Sequence, residues 1–218
     1  ETGLRIMPLS VGLLVAAVGI PKLLPRVSPR LVTRCGLVLM LLGILALLNS
    51  INKSAAVVTV PLLFIGLGIG ALASQLGAVT VSAVPNEQSG EVGGLQNTAT
   101  NLGASLGTAL AGSLLILVLT SSLISGIQNN PNVPEEVKST AGVELASGVP
   151  FLSDSQLRDA LTSAGIDAPT TDSIVEENST ARVDGMNVAL AVLALLAVVS
   201  LGFTGRIPDE QPTGDPAA

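Results

Sequence analysis

The side chains in this chain that could do chemistry are amides, hydroxyls and a short run of cations. Asn97 and Asn101 stand four residues apart, Gln96 precedes them and Thr108 follows, all within a glycine-rich segment from Pro85 to Gly112. Four-residue spacing stacks Asn97 over Asn101 on one face of a helix. Such a pair either hydrogen-bonds to a neighbouring helix or lines a polar stripe in a water-filled path, and the residue types leave both open. Gln75 is a further amide inside an apolar stretch, where it needs a partner or a cavity. Lys22, Arg26, Arg30 and Arg34 form a run of four cations with no acid between them.

What is missing bounds the chemistry further. There is no His, Trp or Tyr, and Cys35 is the one cysteine. No disulfide can close within the chain, and the usual His or Cys zinc patterns are impossible. No nucleophile, base and orienting group can be assembled, so neither an enzyme nor a cofactor or metal is expected. Nothing in the sequence points to a nucleic-acid partner.

The elements that must position these residues are apolar. Of 218 residues 48% are hydrophobic and 12% charged, with a mean hydropathy of +0.67. A soluble domain carries about twice that charge, so the expected solvent is a lipid bilayer. A spanning helix needs about 20 mostly apolar residues. Five stretches approach or meet that: Leu4 to Leu24, Cys35 to Ile51, Ala55 to Val84, Val92 to Ile124 and Met186 to Thr204. By the positive-inside rule the basic stretch from Pro21 to Arg34 is cytoplasmic, and alternation then places the C-terminal tail cytoplasmic too. The chain divides into four expected spans in 1–120, an acidic extracytoplasmic loop with short helices in 121–185, a last span in 186–204 and a tail in 205–218.

That loop holds ten Asp or Glu against Lys138, Arg158 and Arg182. Ser153 and Gln156 form a capping-box pattern, Leu157, Leu161 and Ala164 share a helical face, and Gly165 is a stop. A second helix is expected from about Thr171 or Asp172 into the last span, the alternative for the whole loop being a solvated, partly disordered insert. Asn52-Lys53-Ser54 and Asn178-Ser179-Thr180 match glycosylation sequons, triplets that chance also produces.

Polarity separates the spans. The second and fifth are nearly pure Leu, Val, Ala and Gly, as lipid-facing helices are. The third places Gly66, Gly70 and Ser74 at four-residue spacing, a stripe that admits another helix closely, for static packing or for sliding. The fourth repeats the device with Gly90 and Gly94, then Gly103, Gly107 and Ala111, with Gly112 beyond. Each helical Gly costs about 1 kcal/mol relative to Ala in water, so close packing or a hinge must compensate.

The residues Pro85, Ser89-Gly90, Gly94-Leu95, Asn97-Thr98, Leu102-Gly103, Ser105, Gly107 and Gly112 resemble the penultimate-helix signature of the fourteen-span drug:proton antiporters of the major facilitator superfamily. Gly3-Leu4-Arg5 through Pro8-Leu9, followed by the basic run, is similar to that family's passage into its eighth core helix. The resemblance implies an all-α fold, a polytopic membrane helix bundle, of which these are the last five transmembrane helices, with a long external loop between the last two. It implies that the second and fifth segments are peripheral, that the third lines the central cavity through Gln75, and that the fourth forms the interface between transporter halves. Its implied partners are the bilayer, the missing N-terminal half, protons and a small amphipathic substrate, and its implied location is the bacterial inner membrane. The basic run keeps Arg26, Arg30 and Arg34 of the family's G-x-x-x-D-R-x-G-R-R gate motif but contains no acidic partner. Thr100-Asn101 stands where many relatives carry Arg-Gln.

The expected function is thus proton-coupled efflux of amphipathic drugs by alternating access, with the chain, which begins at Glu1, a C-terminal piece that does not fold alone. Export of a specific metabolite, lipid or peptide is a second reading, and a non-transporting assembly protein that uses its small-residue stripes for packing is a third.

Overall fold

The computed structural model describes residues 2–50, 55–81, 84–139 and 152–209, and among these it is helical throughout with no β-strand. The helices are α1 (Thr2–Leu23), α2 (Pro29–Leu48), α3 (Ala55–Val81), α4 (Ser89–Asn129), α5 (Asp154–Ser163) and α6 (Ala168–Phe203). Short 3-10 turns occupy Asn86–Gln88 before α4 and Thr204–Arg206 after α6. Five helices, all but α5, are long and apolar enough to cross a membrane.

The observed ends differ from the hydropathy reading where polar residues continue a helix. α2 starts at Pro29 rather than Cys35 because Ser28 caps it: the Ser28 hydroxyl accepts from the Leu31 amide at 3.2 Å, and Pro29 needs no amide partner in the first turn. Arg30 and Arg34 therefore stand on α2, and the connection between α1 and α2 shrinks to residues 24–28. α4 runs to Asn129 and α6 starts at Ala168, eighteen residues before Met186. At about 1.5 Å per residue α4 is ~60 Å long, twice the ~30 Å apolar thickness of a bilayer, and both ends of the expected loop 121–185 are extensions of α4 and α6.

The chain forms two compact units, one from 1–106 with 191–218 and one from 107–190. In the first, α3 packs against both α1 and α2. The contacts are made by backbone. A methyl group built on Gly66 would collide with the Leu9 carbonyl, and one on Gly70 with the Leu13 carbonyl, both on α1. On the other side, a methyl on Gly68 would lie 2.5 Å from the Gly36 carbonyl oxygen, and one on Gly43 2.8 Å from the Pro61 carbonyl oxygen. Gly66 and Gly70 of the stripe, and Gly68 beside it, thus lie at close helix–helix contacts.

In the second unit, Leu119, Leu123 and Ile127 of α4 meet Ile174 and Ala181 of α6, with Val133 completing a buried cluster on which Val137, Leu157 and Leu161 rest. Polar ties flank it. Ser122 donates to Asp184 at 2.6 Å and Asn130 to Glu177 at 2.8 Å. These pairs satisfy the polar residues that interrupt the apolar pattern, which is why both helices continue past it. α5 begins with a complete capping box: Ser153 accepts from the Gln156 amide while Gln156 accepts from the Ser153 amide at 3.0 Å. Gly165, at φ +79°, ends that segment in the left-handed region. Both carboxylate oxygens of Asp154, the first residue of α5, accept from Arg182 Nη2 at 2.8 Å, and Oδ1 also accepts from the Asn178 amide at 3.2 Å, while Arg182 Nη1 donates to the Leu152 carbonyl at 3.4 Å. Asn178 is 2% exposed, so its sequon is closed to modification, and Asn52 lies outside the described residues.

Candidate functional site

The polar face of α4 is built from the helix period. Asn97, Asn101 and Thr108 fall within a narrow sector, and Asn101 Nδ2 donates to Asn97 Oδ1 at 3.3 Å. All three are exposed. Gln96 sits about 100° round the helix and turns the other way. It lines a 440 Å³ groove with Leu76 and Thr80 of α3 and with Val92 and Thr100 of its own helix. The structure therefore separates Gln96 from the Asn97–Asn101 pair.

The glycines of α4 differ from those of α3 in what surrounds them. A methyl group built on Gly90, Gly94, Gly103, Gly107 or Gly112 would have no described atom of another element within 4 Å. Exposed Leu95, Leu102 and Leu106 lie among them. α4 thus presents an amide pair and a series of small residues on a surface that the described residues do not cover. Pro85, exposed, precedes the 3-10 turn that leads into this helix, and its carbonyl accepts from the Gln88 amide at 2.9 Å.

Gln75 is placed differently again. It is 6% exposed, its Nε2 donates to Ser74 Oγ at 3.2 Å, and its Oε1 meets no donor among the described residues. Ser74 spends its own proton on the Ala71 carbonyl at 2.7 Å. A buried amide with one unmet acceptor costs free energy where it stands, on the order of 1–3 kcal/mol.

The basic residues divide into two pairs. Arg30 Nε donates to the Ile207 carbonyl at 2.8 Å and its guanidinium pairs with Asp209 at 2.5 Å, while Arg34 Nε donates to Thr204 Oγ1 at 2.9 Å. Lys22, on the last turn of α1, and Arg26, in the connection, are exposed. Asp209 is the acidic partner that the basic run lacks locally. It stands 179 residues from Arg30, and the signal that could have found it is topological, since an even number of crossings separates the two. Asp184 and Glu177 also escaped a reading by hydropathy, because they fall before the apolar run of α6.

Among the described residues no group of three or more Cys, Asp or Glu is placed to hold a metal ion. The arrangement offers hydrogen-bonding amides and hydroxyls on apolar helices.

Residues 1–108, which hold α1 to α3 and the polar half of α4, match the model of the Major Facilitator Superfamily. The chain belongs to the major facilitator superfamily. As a member it is a multi-pass membrane protein, and its five apolar helices accord with that. It is 31% identical over 122 residues to the multidrug resistance protein Stp of Mycobacterium tuberculosis, a match that covers 56% of this chain and 23% of that relative. It is 27% identical over 207 residues to the multidrug efflux pump LfrA of Mycolicibacterium smegmatis, covering 92% of this chain and 38% of that relative. The chain thus spans well under half the length of these curated relatives. No solved structure matches it.

Proposed function

We propose that this chain is the C-terminal part of a proton-coupled transporter that expels amphipathic drugs across the bacterial inner membrane by alternating access. The observation that carries the reading is the contrast between two helices. Gly66, Gly68 and Gly70 of α3 are used up in packing against α1 and α2, whereas Gly90, Gly94, Gly103, Gly107 and Gly112 of α4 meet no other described element and Asn97 and Asn101 are exposed. A glycine-rich face of that kind suits a surface against which a second transporter half rocks about a midplane site. In this reading Asn97, Asn101 and Thr108 line the path, Gln75 and Gln96 contribute amides behind it, and Pro85 with Gly90 and Gly94 form the hinge into α4.

The driving force would be inward proton flow, each charge moving down 100 mV contributing about 2.3 kcal/mol. The apolar runs 4–24, 35–50, 55–81, 92–124 and 186–204 hold no Asp or Glu, and Asp184, midway along α6, is held by the Ser122 hydroxyl, so in this reading the proton carrier belongs to the other half. The chain's own role is to supply the interface and part of the substrate path. The basic connection and the C-terminal tail, tied together through Arg30 and Arg34, would both lie on the cytoplasmic side.

The test uses the intact transporter with Cys35→Ser as background and single cysteines at Asn97→Cys, Asn101→Cys and Thr108→Cys. A membrane-impermeant thiol reagent is expected to modify all three, with protection by a lipophilic cationic drug and loss of efflux on modification. Uniform protection from the reagent in the absence of drug would overturn the reading in favour of static packing.

A further inference from the structure

Between α1 and α2, with α3 as its floor, lies a crevice of about 500 Å³. Its walls include Val15 and Leu23 of α1 and Leu31 and Leu39 of α2, and its floor Leu67 and Ala71 of α3. No residue that lines it is charged. Its volume falls within the range of small-molecule sites. From Val15 to Leu23 is eight residues, or ~12 Å along the helix, close to the ~15 Å hydrocarbon depth of one bilayer leaflet. At the end of the crevice formed by Leu23, Leu24 and Val27, the sequence neighbours Lys22 and Arg26 are exposed cations. Arg30 and Arg34, by contrast, are committed to the C-terminal turn.

We infer that this crevice seats an anionic phospholipid, one acyl chain between α1 and α2 and the phosphate against Lys22 and Arg26. An apolar slot of one leaflet's depth, ending in two exposed cations, is complementary to that amphiphile along its whole length. Basic pockets between transmembrane helices recognise anionic head groups in this way. A free anion would have nothing to bind below the rim, and a zwitterionic lipid would gain only the apolar contacts. The site is separate from the α4 face and does not depend on the transport reading.

Two kinds of variant test it in the intact protein. Lys22→Gln with Arg26→Gln alters only exposed side chains, so folding is retained. Gly19→Leu is chosen to fill the slot itself: Gly19 lines the crevice, and a methyl group built on it meets only Leu23 Cδ1, at 4.0 Å. Retention of phosphatidylglycerol against phosphatidylcholine is read by native mass spectrometry. Maleimide modification of Cys35, which lines the crevice and is exposed, is read on its own peptide.

Phosphatidylglycerol is expected to be retained in preference to phosphatidylcholine and to slow modification of Cys35. The double charge variant should weaken retention about thirty-fold, at roughly ten-fold per 1.4 kcal/mol and about 1 kcal/mol per cation. Gly19→Leu should abolish retention with the cations intact. Equal retention of both lipids would overturn the inference by reducing the site to an apolar surface. A Cys35 that is unreactive before lipid is added would overturn it too, since another segment of the protein would then fill the slot.

Discussion

Arg34 Nε donates to Thr204 Oγ1 at 2.9 Å, joining the second turn of α2 to the 3-10 turn that follows α6, 170 residues later. Thr204 is 2% exposed, and its hydroxyl proton goes to the Leu201 carbonyl at 2.7 Å. One buried hydroxyl thus ends the last helix and receives a cation from the second.

Thr204→Val removes both bonds and leaves a charged donor without its acceptor. Loss of about 1–2 kcal/mol is expected. Asp209→Asn, at an ion pair whose acid is 62% exposed, should cost less than about 1 kcal/mol. Thermal unfolding of the intact protein in detergent checks the order; equal effects would mean that the buried hydroxyl is not the anchor.

Gly66→Ala and Gly103→Ala separate packing from working surface. The first drives a methyl into the Leu9 carbonyl, and loss of folded protein or destabilisation of about 1–3 kcal/mol is expected. The second meets no described atom of another element and improves helix propensity by up to about 1 kcal/mol. A normal yield of Gly103→Ala together with reduced efflux, measured by dye retention in cells, is the expected pair of results.

Gln75→Leu is expected to raise thermal stability by about 1 kcal/mol, because it removes a buried acceptor that has no donor among the described residues. If Gln75 serves transport, efflux falls while stability rises. Destabilisation instead would mean that Oε1 is satisfied by a group beyond the described residues.

Asp154→Ala strips Arg182 and Asn178 of a shared partner at the start of α5. The pair is partly buried and charged, with Arg182 Nη2 shared between both carboxylate oxygens, so a cost of about 1.5–3 kcal/mol to this region is expected. Ser153→Ala, which removes the cap alone, should cost about 1 kcal/mol. Hydrogen exchange over residues 152–185 distinguishes them: both should speed exchange in α5, and only Asp154→Ala should speed it around Arg182.

The parts of this structure that could be read from sequence are those whose cause is local. The capping box at Ser153 and Gln156, the stop at Gly165 and the five apolar spans each rest on residues within a turn or two of one another. Hydropathy alone starts the last span at Met186, because Glu177 and Asp184 fall before the apolar run; the helix expected from about Thr171 lies closer to the observed start at Ala168, and the two acids find partners in Asn130 and Ser122. Hydropathy also fails at Ser28-Pro29, where a cap outweighs the two arginines that follow. For the candidate site, the i, i+4 stacking of Asn97 and Asn101 was legible, and the departure of Gln96 from their face follows from the same period. That α3 and α4 put similar glycine spacings to different uses was not legible, because spacing records that a close approach is possible and not whether a neighbour takes it up.

The glycine contacts of α3 also bear on which substitutions the sequence can accept. At Gly66, Gly68, Gly70 and Gly43 the helices approach so closely that an added methyl would strike a neighbouring carbonyl. No side chain can grow at these four points without pushing α1 or α2 away from α3.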